Sequence, residues 1–465
     1  MTRRTFLTAT AAAAAQASDL HWLTIAEASA LIRKRKVSPV ELTRAALARI
    51  EQFNASLNAF ITVTADQAVA RAKELEAEQM RGRFRSPLHG IPIGLKDLYD
   101  TAGIRTTAAS AHFATRVPTE DAAVVKALYD SGMVMTGKIN MDEFAYNFTS
   151  ETSRFGPAHN PWKRGYTPGG SSGGSGVAVA AGLCHGALGS DTGGSIRLPA
   201  AFCGIAGFKP TFGRLPTQGV LPLAWSLDHV GPMCRTAVDC RLMTEAMGLA
   251  PLVNKRSFKA VRLGIPRSPY WEKVDDETSS LTRAAVDTLA RLCSGVRDVS
   301  LPQLEPAPGL PIFPSAYLTV IAAEAFAYHS ERIRTNPEAF HPTIRQNIQN
   351  GAAVTTAQYI LARQELERLR SQNRLLFREA DLLVMPGAPG PAFPLGSRAD
   401  LIYLRNTAPW NLYGLPSISV PCGFTKDGMP VGLQIVGAAG EDALVLAAAE
   451  LYEKEGGWTS RHPAL

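Results

Sequence analysis

A chain of 465 residues, 46% hydrophobic and 19% charged, has the length for one large domain or two ordinary ones and the composition of a soluble globular protein. Its formal net charge is +7, and the one tight basic run, Arg33-Lys34-Arg35-Lys36, suits a helix C-terminus, which argues against nucleic acid as a partner. No apolar run approaches the roughly 18 residues a membrane span needs, and six scattered cysteines without a C-x-x-C pair make neither a disulfide framework nor a zinc site, leaving at most an optional bridge such as Cys234 to Cys240.

The chain begins with Thr2-Arg3-Arg4-Thr5-Phe6-Leu7-Thr8, followed by Ala-rich sequence that ends in Ala15-Gln16-Ala17. Paired arginines, a short weakly apolar segment and a small-x-small site are the pattern of a twin-arginine export signal cleaved after Ala17. Residues 1–17 are therefore expected to be a signal, residues 18–465 the mature domain, and the location periplasmic or secreted. The competing reading is an Ala-rich start to the first helix.

Helical patterns follow from Thr24 to Lys36, where Arg33-Lys34-Arg35-Lys36 would meet the negative end of the helix dipole. Ser38, Pro39 and Glu41 then supply an N-cap, a first helical position and a capping-box partner, with Leu42, Ala46, Ile50 and Phe53 as the buried stripe. A more charged helix is expected over 65–80. Pro87 to Asp97 reads as a short apolar strand that ends in Lys96, and its apolar neighbours should draw that lysine inward.

From Thr119 onward the patterns alternate between helix and strand. A helix at 120–131 and a strand at 133–136 precede Thr167 to Thr211, where two glycine turns enclose a small-residue apolar helix at 177–183 and a strand at 187–188. Later come a strand at 261–265, helices near 277–292, 315–333 and 356–378, a strand at 382–385, a hairpin-like pair at 417–420 and 431–436, and a last helix from Glu441. This order predicts an α/β fold, a single large domain with a central mixed sheet covered by helices on both faces. A helical excursion spans about 305–380.

Three pieces carry chemistry: Lys96 after its apolar strand, Ser171 in the turn Gly169 to Gly176, and Ser195 in Asp191-Thr192-Gly193-Gly194-Ser195. Glycines so placed let backbone N–H groups crowd around a ligand or a developing charge. With HGIPIGLKD (89–97), GKINMDEFA (137–145), PGGSSGGSG (168–176), DTGGSIRLPAAFCG (191–204), SLDHVGPM (226–233) and NLYGLPSISVPCGF (411–424), the chain closely resembles the amidase signature family over nearly its whole mature length. That resemblance implies the amidase signature fold and a Ser-cisSer-Lys triad. Ser195 would be the nucleophile, Ser171 the bridging serine after a cis peptide from Gly170, and Lys96 the base. Thr192, Gly193, Gly194 and Ser195 would offer oxyanion-hole N–H groups, and Gly170 and Tyr146 would take part in binding the substrate beside them.

A serine hydroxyl needs an adjacent base, and lysine serves only when neutral, so desolvation must lower the pKa of Lys96 toward roughly 7 to 8. Asp191 and Arg197 are expected to organise the loop around the nucleophile, and Cys184 and Cys203 to be buried spacers. The implied activity is hydrolysis of small amides or anilides through an acyl-enzyme, without metal or cofactor, by a monomer or homodimer that meets neither nucleic acid nor membrane. Alternatives on the same triad are an ester or carbamate hydrolase and the glutamine-supplying subunit of a tRNA amidotransferase; a binding protein without activity is a further alternative. The tyrosine-rich stretch of the amidotransferase is replaced here by Val354-Thr355-Thr356-Ala357-Gln358-Tyr359-Ile360. Tyr146-Asn147 and Gly387 also depart from common family residues. The literal G-x-S-x-G match at 169–173 lacks the apolar strand that a nucleophile elbow requires.

Overall fold

The computed structural model describes residues 20–465 except 250, 303, 305, 308, 309 and 399. The expected export signal at residues 1–17 lies outside the described residues.

The strands in chain order are β1 (Phe60–Val63), β2 (Pro92–Lys96), β3 (Val134–Ile139), β4 (Gly186–Asp191), β5 (Ala206–Lys209), β6 (His229–Cys234), β7 (Arg262–Pro266), β8 (Gly295–Val299), β9 (Pro306–Ala307), β10 (Leu310–Pro314), β11 (Leu382–Pro386), β12 (Ser417–Phe424) and β13 (Pro430–Gly437). Eleven of them form one sheet in the order β1-β3-β2-β4-β6-β5-β12-β13-β11-β7-β8, and β9 pairs with β10 separately. Parallel pairing joins β2 to β3 and β4, and β7 to β8 and β11, whereas the middle of the sheet is antiparallel. Every residue of β2, β3, β4, β6, β11 and β13 is buried. Since successive side chains point to opposite faces, both faces are covered by helices, as the alternation of elements implied.

Local signals account for the helix starts. Ser38 Oγ accepts from Glu41 N at 3.2 Å while the Glu41 carboxylate accepts from Ser38 N at 2.8 Å, opening the helix Pro39–Leu57, and Thr24 with Glu27 opens Ile25–Arg33 in the same way. The basic run does begin at a helix end, with Arg33 the last helical residue.

Four expectations are corrected. The helix of the first glycine turn spans Gly173–Ala180, beginning four residues before Val177. Its glycines serve close packing: a Cβ on Gly174 would overlap Asn140 O, and one on Gly176 would lie 2.9 Å from Cys203 Sγ. The helix expected over 356–378 ends at Ser371, and a 3-10 turn, Asn373–Phe377, follows. All six cysteines are free, so no bridge joins Cys234 to Cys240. Strands β1, β5, β6 and β8 and the helices Arg197–Cys203, Ala237–Ala246 and Pro342–Gly351 are additional to the expected elements. Among the described residues no helix is long and apolar enough to cross a membrane.

Candidate active site

Lys96 closes β2, whose parallel register with β4 sets Leu95 opposite Leu188. Its amine is fully buried and donates to Ser171 Oγ at 2.7 Å, Ser172 Oγ at 2.9 Å and Ser190 Oγ at 2.8 Å. Burial lowers its pKa to about 7, against the pull of the carboxylates of Asp142, Asp191 and Asp228. A lysine at this value is half neutral near pH 7, as a general base must be.

Ser171 and Ser172 lie just before the helix Gly173–Ala180, and the Gly170–Ser171 peptide is cis. Asp142 anchors this turn from below: its N–H donates to Ser171 O at 3.2 Å, and its carboxylate accepts from Ser150 N, Glu151 N, Thr152 N and Thr152 Oγ1. Gly170 abuts Asp142 and is not part of the cavity wall, so its expected place in substrate binding is not borne out.

Ser195 borders a cavity of about 340 Å³ together with Thr192, Gly193, Tyr146, Phe148 and Tyr317. Tyr146 is thus where the resemblance put it. Ser195 Oγ makes no hydrogen bond among the described residues, so the hydrogen-bonded chain runs from Lys96 to Ser171 and does not extend to Ser195. Catalytic hydrogen bonds often close only around substrate. The two serine turns are tied together by Ser172 N donating to Ser195 O at 3.3 Å.

The oxyanion loop is corrected at one position. Gly194 N–H donates to Asp191 Oδ1 at 2.8 Å and is spent on the loop's own scaffold. The N–H groups of Thr192, Gly193 and Ser195 make no hydrogen bond among the described residues and remain available. A Cβ on Gly193 would overlap the Tyr317 hydroxyl, so only glycine lets the backbone come so close to the cavity wall.

Asp191 and Arg197 form the expected buried pair, with Nη2 to Oδ1 at 2.8 Å and Nε to Oδ2 at 3.0 Å. Burial alone would raise the Asp191 pKa, but the Arg197 charge and hydrogen bonds outweigh it and hold the carboxyl below the ordinary range. Arg197 also donates to Gln434 Oε1 at 2.9 Å, Asn411 Oδ1 at 2.6 Å and Thr407 O at 3.0 Å. Thr192 Oγ1 donates to Asp228 Oδ1 at 2.7 Å, and Asp228 Oδ2 accepts from Leu223 N and Ala224 N. Burial pushes the Asp228 pKa up to about 6. Cys184 and Cys203 are buried, and burial raises both thiols, Cys184 to about 12.

Sequence reasoning did not assign Asp142, Ser172, Ser190, Asp228, Asn411 or Gln434. Asp142, Ser172, Asp228 and Asn411 do fall within the quoted segments GKINMDEFA, PGGSSGGSG, SLDHVGPM and NLYGLPSISVPCGF.

A family model named Amidase matches residues 41–446. Among curated proteins, the chain is 39% identical to the A subunit of glutamyl-tRNA(Gln) amidotransferase from Methylococcus capsulatus, covering 96% of this chain and 99% of that protein. Among solved structures, it is similar to a crystal structure of an amidase, with 34% identity, a TM-score of 0.86, and 94% and 100% of the two chains covered. The A subunit of the Thermotoga maritima glutamyl-tRNA(Gln) amidotransferase superposes with a TM-score of 0.77 at 30% identity, covering 94% of this chain and 96% of that one.

Proposed function

The chain belongs to the amidase signature family, and on that footing we propose that it hydrolyses the C–N bond of small carboxamides or anilides, with Ser195 as nucleophile and Lys96 and Ser171 as its base relay. The observation that carries the reading is the buried Lys96 amine, pKa lowered to about 7 and hydrogen-bonded to Ser171, behind a serine that borders a cavity.

In the proposed course, Ser195 Oγ bonds to the substrate carbonyl carbon as its proton passes to Ser171 Oγ and the Ser171 proton passes to the neutral Lys96 amine. The oxyanion receives the free N–H groups of the Thr192 to Ser195 loop, each worth about 3 to 4 kcal/mol in acyl transfer. The proton then returns to the leaving nitrogen as the C–N bond breaks, and water, activated by the same relay, releases the acid from Ser195. Esters and carbamates would follow the same steps.

A Ser195→Ala variant should lose turnover on anilides and primary amides by at least about a thousandfold, and mass spectrometry of wild type with a slow ester should show an acyl adduct on Ser195. Wild-type turnover by the variant would refute the assignment.

A second reading, the glutamine-supplying subunit of an amidotransferase, is favoured by the 39% identity to a protein of that name. It would make the chain part of a protein complex and glutamine its substrate. Hydrolysis of glutamine in preference to every other amide would establish it.

Export by the twin-arginine segment is a further proposal, resting on Arg3, Arg4 and the Ala15-Gln16-Ala17 site. Mass spectrometry of the native protein should find Ser18 first, and a cytosolic pool with intact Met1 would overturn it.

A further inference from the structure

The walls of the Ser195 cavity differ along its length. Leu223, Leu318, Ile321, Ala322, Leu401 and Leu404 make its apolar body. Asn347 and Asn350 lie on the helix Pro342–Gly351, three residues apart and so on one helix face, and Asn350 is exposed, which puts this polar pair at the mouth. No acidic or basic side chain lines the cavity among the described residues. Its two ionisable groups are the phenols of Tyr146 and Tyr317, which burial keeps protonated at neutral pH.

The carboxylates that hold the Thr192 to Ser195 loop are already engaged. Asp191 is paired with Arg197, and Asp228 accepts from Thr192, Leu223 and Ala224. A substrate ammonium or carboxylate entering this space would give up water and gain no opposite charge, which disfavours its binding. Free glutamine would bring one of each.

The mouth offers neutral polarity instead. Asn350 Oδ1 is taken by Gln346 Nε2 at 2.9 Å. Asn347 Nδ2 reaches Tyr146 O at a long 3.4 Å, and its Oδ1 accepts no hydrogen bond among the described residues. Tyr146 at the same time borders the cavity beside Ser195, so Asn347 is bound to the residue that connects mouth and nucleophile.

We infer that this cavity selects uncharged amides with an apolar body and a neutral hydrogen-bonding group at the far end, and that Asn347 is the specificity-determining residue that reads that end. The inference rests on the amide-hydrolase reading of the same site. It separates this chain from an enzyme built for a free amino acid amide.

The test uses 3-phenylpropanamides bearing hydroxymethyl, methyl, carboxylate or aminomethyl at the ring position opposite the chain, so that the far end alone varies. L-Glutamine is run beside them. kcat/KM is measured for wild type, Asn347→Leu and Asn347→Asp, and Kd by calorimetry on Ser195→Ala. Wild type should favour both neutral compounds over both charged ones by at least about tenfold, with hydroxymethyl several-fold ahead of methyl. Asn347→Leu should erase the hydroxymethyl advantage, bringing the hydroxymethyl and methyl compounds to equal kcat/KM. Asn347→Asp should raise the aminomethyl compound, an ammonium ion, by about tenfold over wild type.

Equal turnover of charged and neutral compounds, an unchanged hydroxymethyl preference in Asn347→Leu, or glutamine ahead of the series would overturn the inference and leave amide hydrolysis standing. If wild type cleaves no amide, yet Ser195→Ala binds the series in the expected order, the hydrolase reading falls and the selectivity of the cavity stands. Binding without that order would overturn the selectivity as well.

Discussion

Lys96 donates to three serine hydroxyls, and the count has a chemical meaning. An ammonium has three N–H bonds and can satisfy Ser171, Ser172 and Ser190 together, whereas the neutral amine has two and a lone pair. Ser172 Oγ is itself fixed, donating to Ser190 O and accepting from Ser190 N, both at 3.2 Å. With Ser172 and Ser190 taking the two remaining N–H bonds, the lone pair faces Ser171, the direction in which a base must point. kcat/KM should therefore rise with pH through about 7 as Lys96 loses its proton, then level off, and Lys96→Met should be inactive throughout. The same depressed pKa fixes a stability slope. Between about 7 and 10.5 the unfolded chain holds a proton that the folded chain does not, so this contribution rises with pH and is lost as pH falls. Urea unfolding near pH 7 and near pH 10 should show wild type gaining on Lys96→Met at the higher pH, and a gap that moved the other way would refute the buried neutral amine.

The loop from Asp191 to Ser195 keeps its shape through elements far away in the chain. Arg197 is completely buried, and its partners Asn411 and Gln434 lie 214 and 237 positions later, on the helix Ala408–Leu412 and on β13. Arg197→Met would leave Asp191 ionised and buried without its countercharge, which costs about 3 to 5 kcal/mol. Denaturant unfolding should show that loss, and a cost below about 1 kcal/mol would mean that the pair does not hold the loop. This arrangement also explains what the sequence could disclose. The inward turn of Lys96 was legible from the apolar run before it and the two serine turns from their glycines, both local signals, whereas the choice of Ser171 and Ser195 within those turns came from the family resemblance. Asn411 and Gln434 carry no such mark, since an amide becomes informative only once its partner is known. Gly194 was misassigned for the same reason: its N–H looks free in the sequence, and only the folded position of the Asp191 side chain claims it. Strands β5 and β6 escaped because Ala206-Gly207-Phe208-Lys209 and His229-Val230-Gly231-Pro232-Met233-Cys234 contain glycine or proline, and burial on both faces removes the alternation that marks a half-exposed strand.

At the scale of the whole molecule, the beginning and end of the described chain close on each other beside the sheet. The Trp22 ring stacks on His462 at 3.8 Å, and the Arg49 guanidinium lies 4.7 Å from its centre. Arg235, just past β6, donates to His21 O at 3.0 Å and to Leu23 O, while His185, just before β4, is bonded to Leu20 O. Residues 20–23 thus join the long helix Pro39–Leu57, two central strands and the C-terminal segment, without reaching the Lys96 to Ser195 site. Trp22→Ala should cost stability, about 1 to 3 kcal/mol for a partly buried ring with its cation contact, while leaving KM and kcat of the folded enzyme unchanged. His462 adds a pH signature to this closure. Burial, with the charges of Arg235 and Arg49, lowers its pKa to about 4 from an ordinary 6.5. Between those values the unfolded chain binds the proton and the folded chain does not, so the stack is at full strength above about 6.5 and weakens as pH falls toward 4. His462→Phe keeps a ring against Trp22 and removes the titration. Urea unfolding should therefore find wild type losing ground to His462→Phe between pH 6.5 and 4, and a constant gap across that window would show that His462 titrates alike in the folded and unfolded chains.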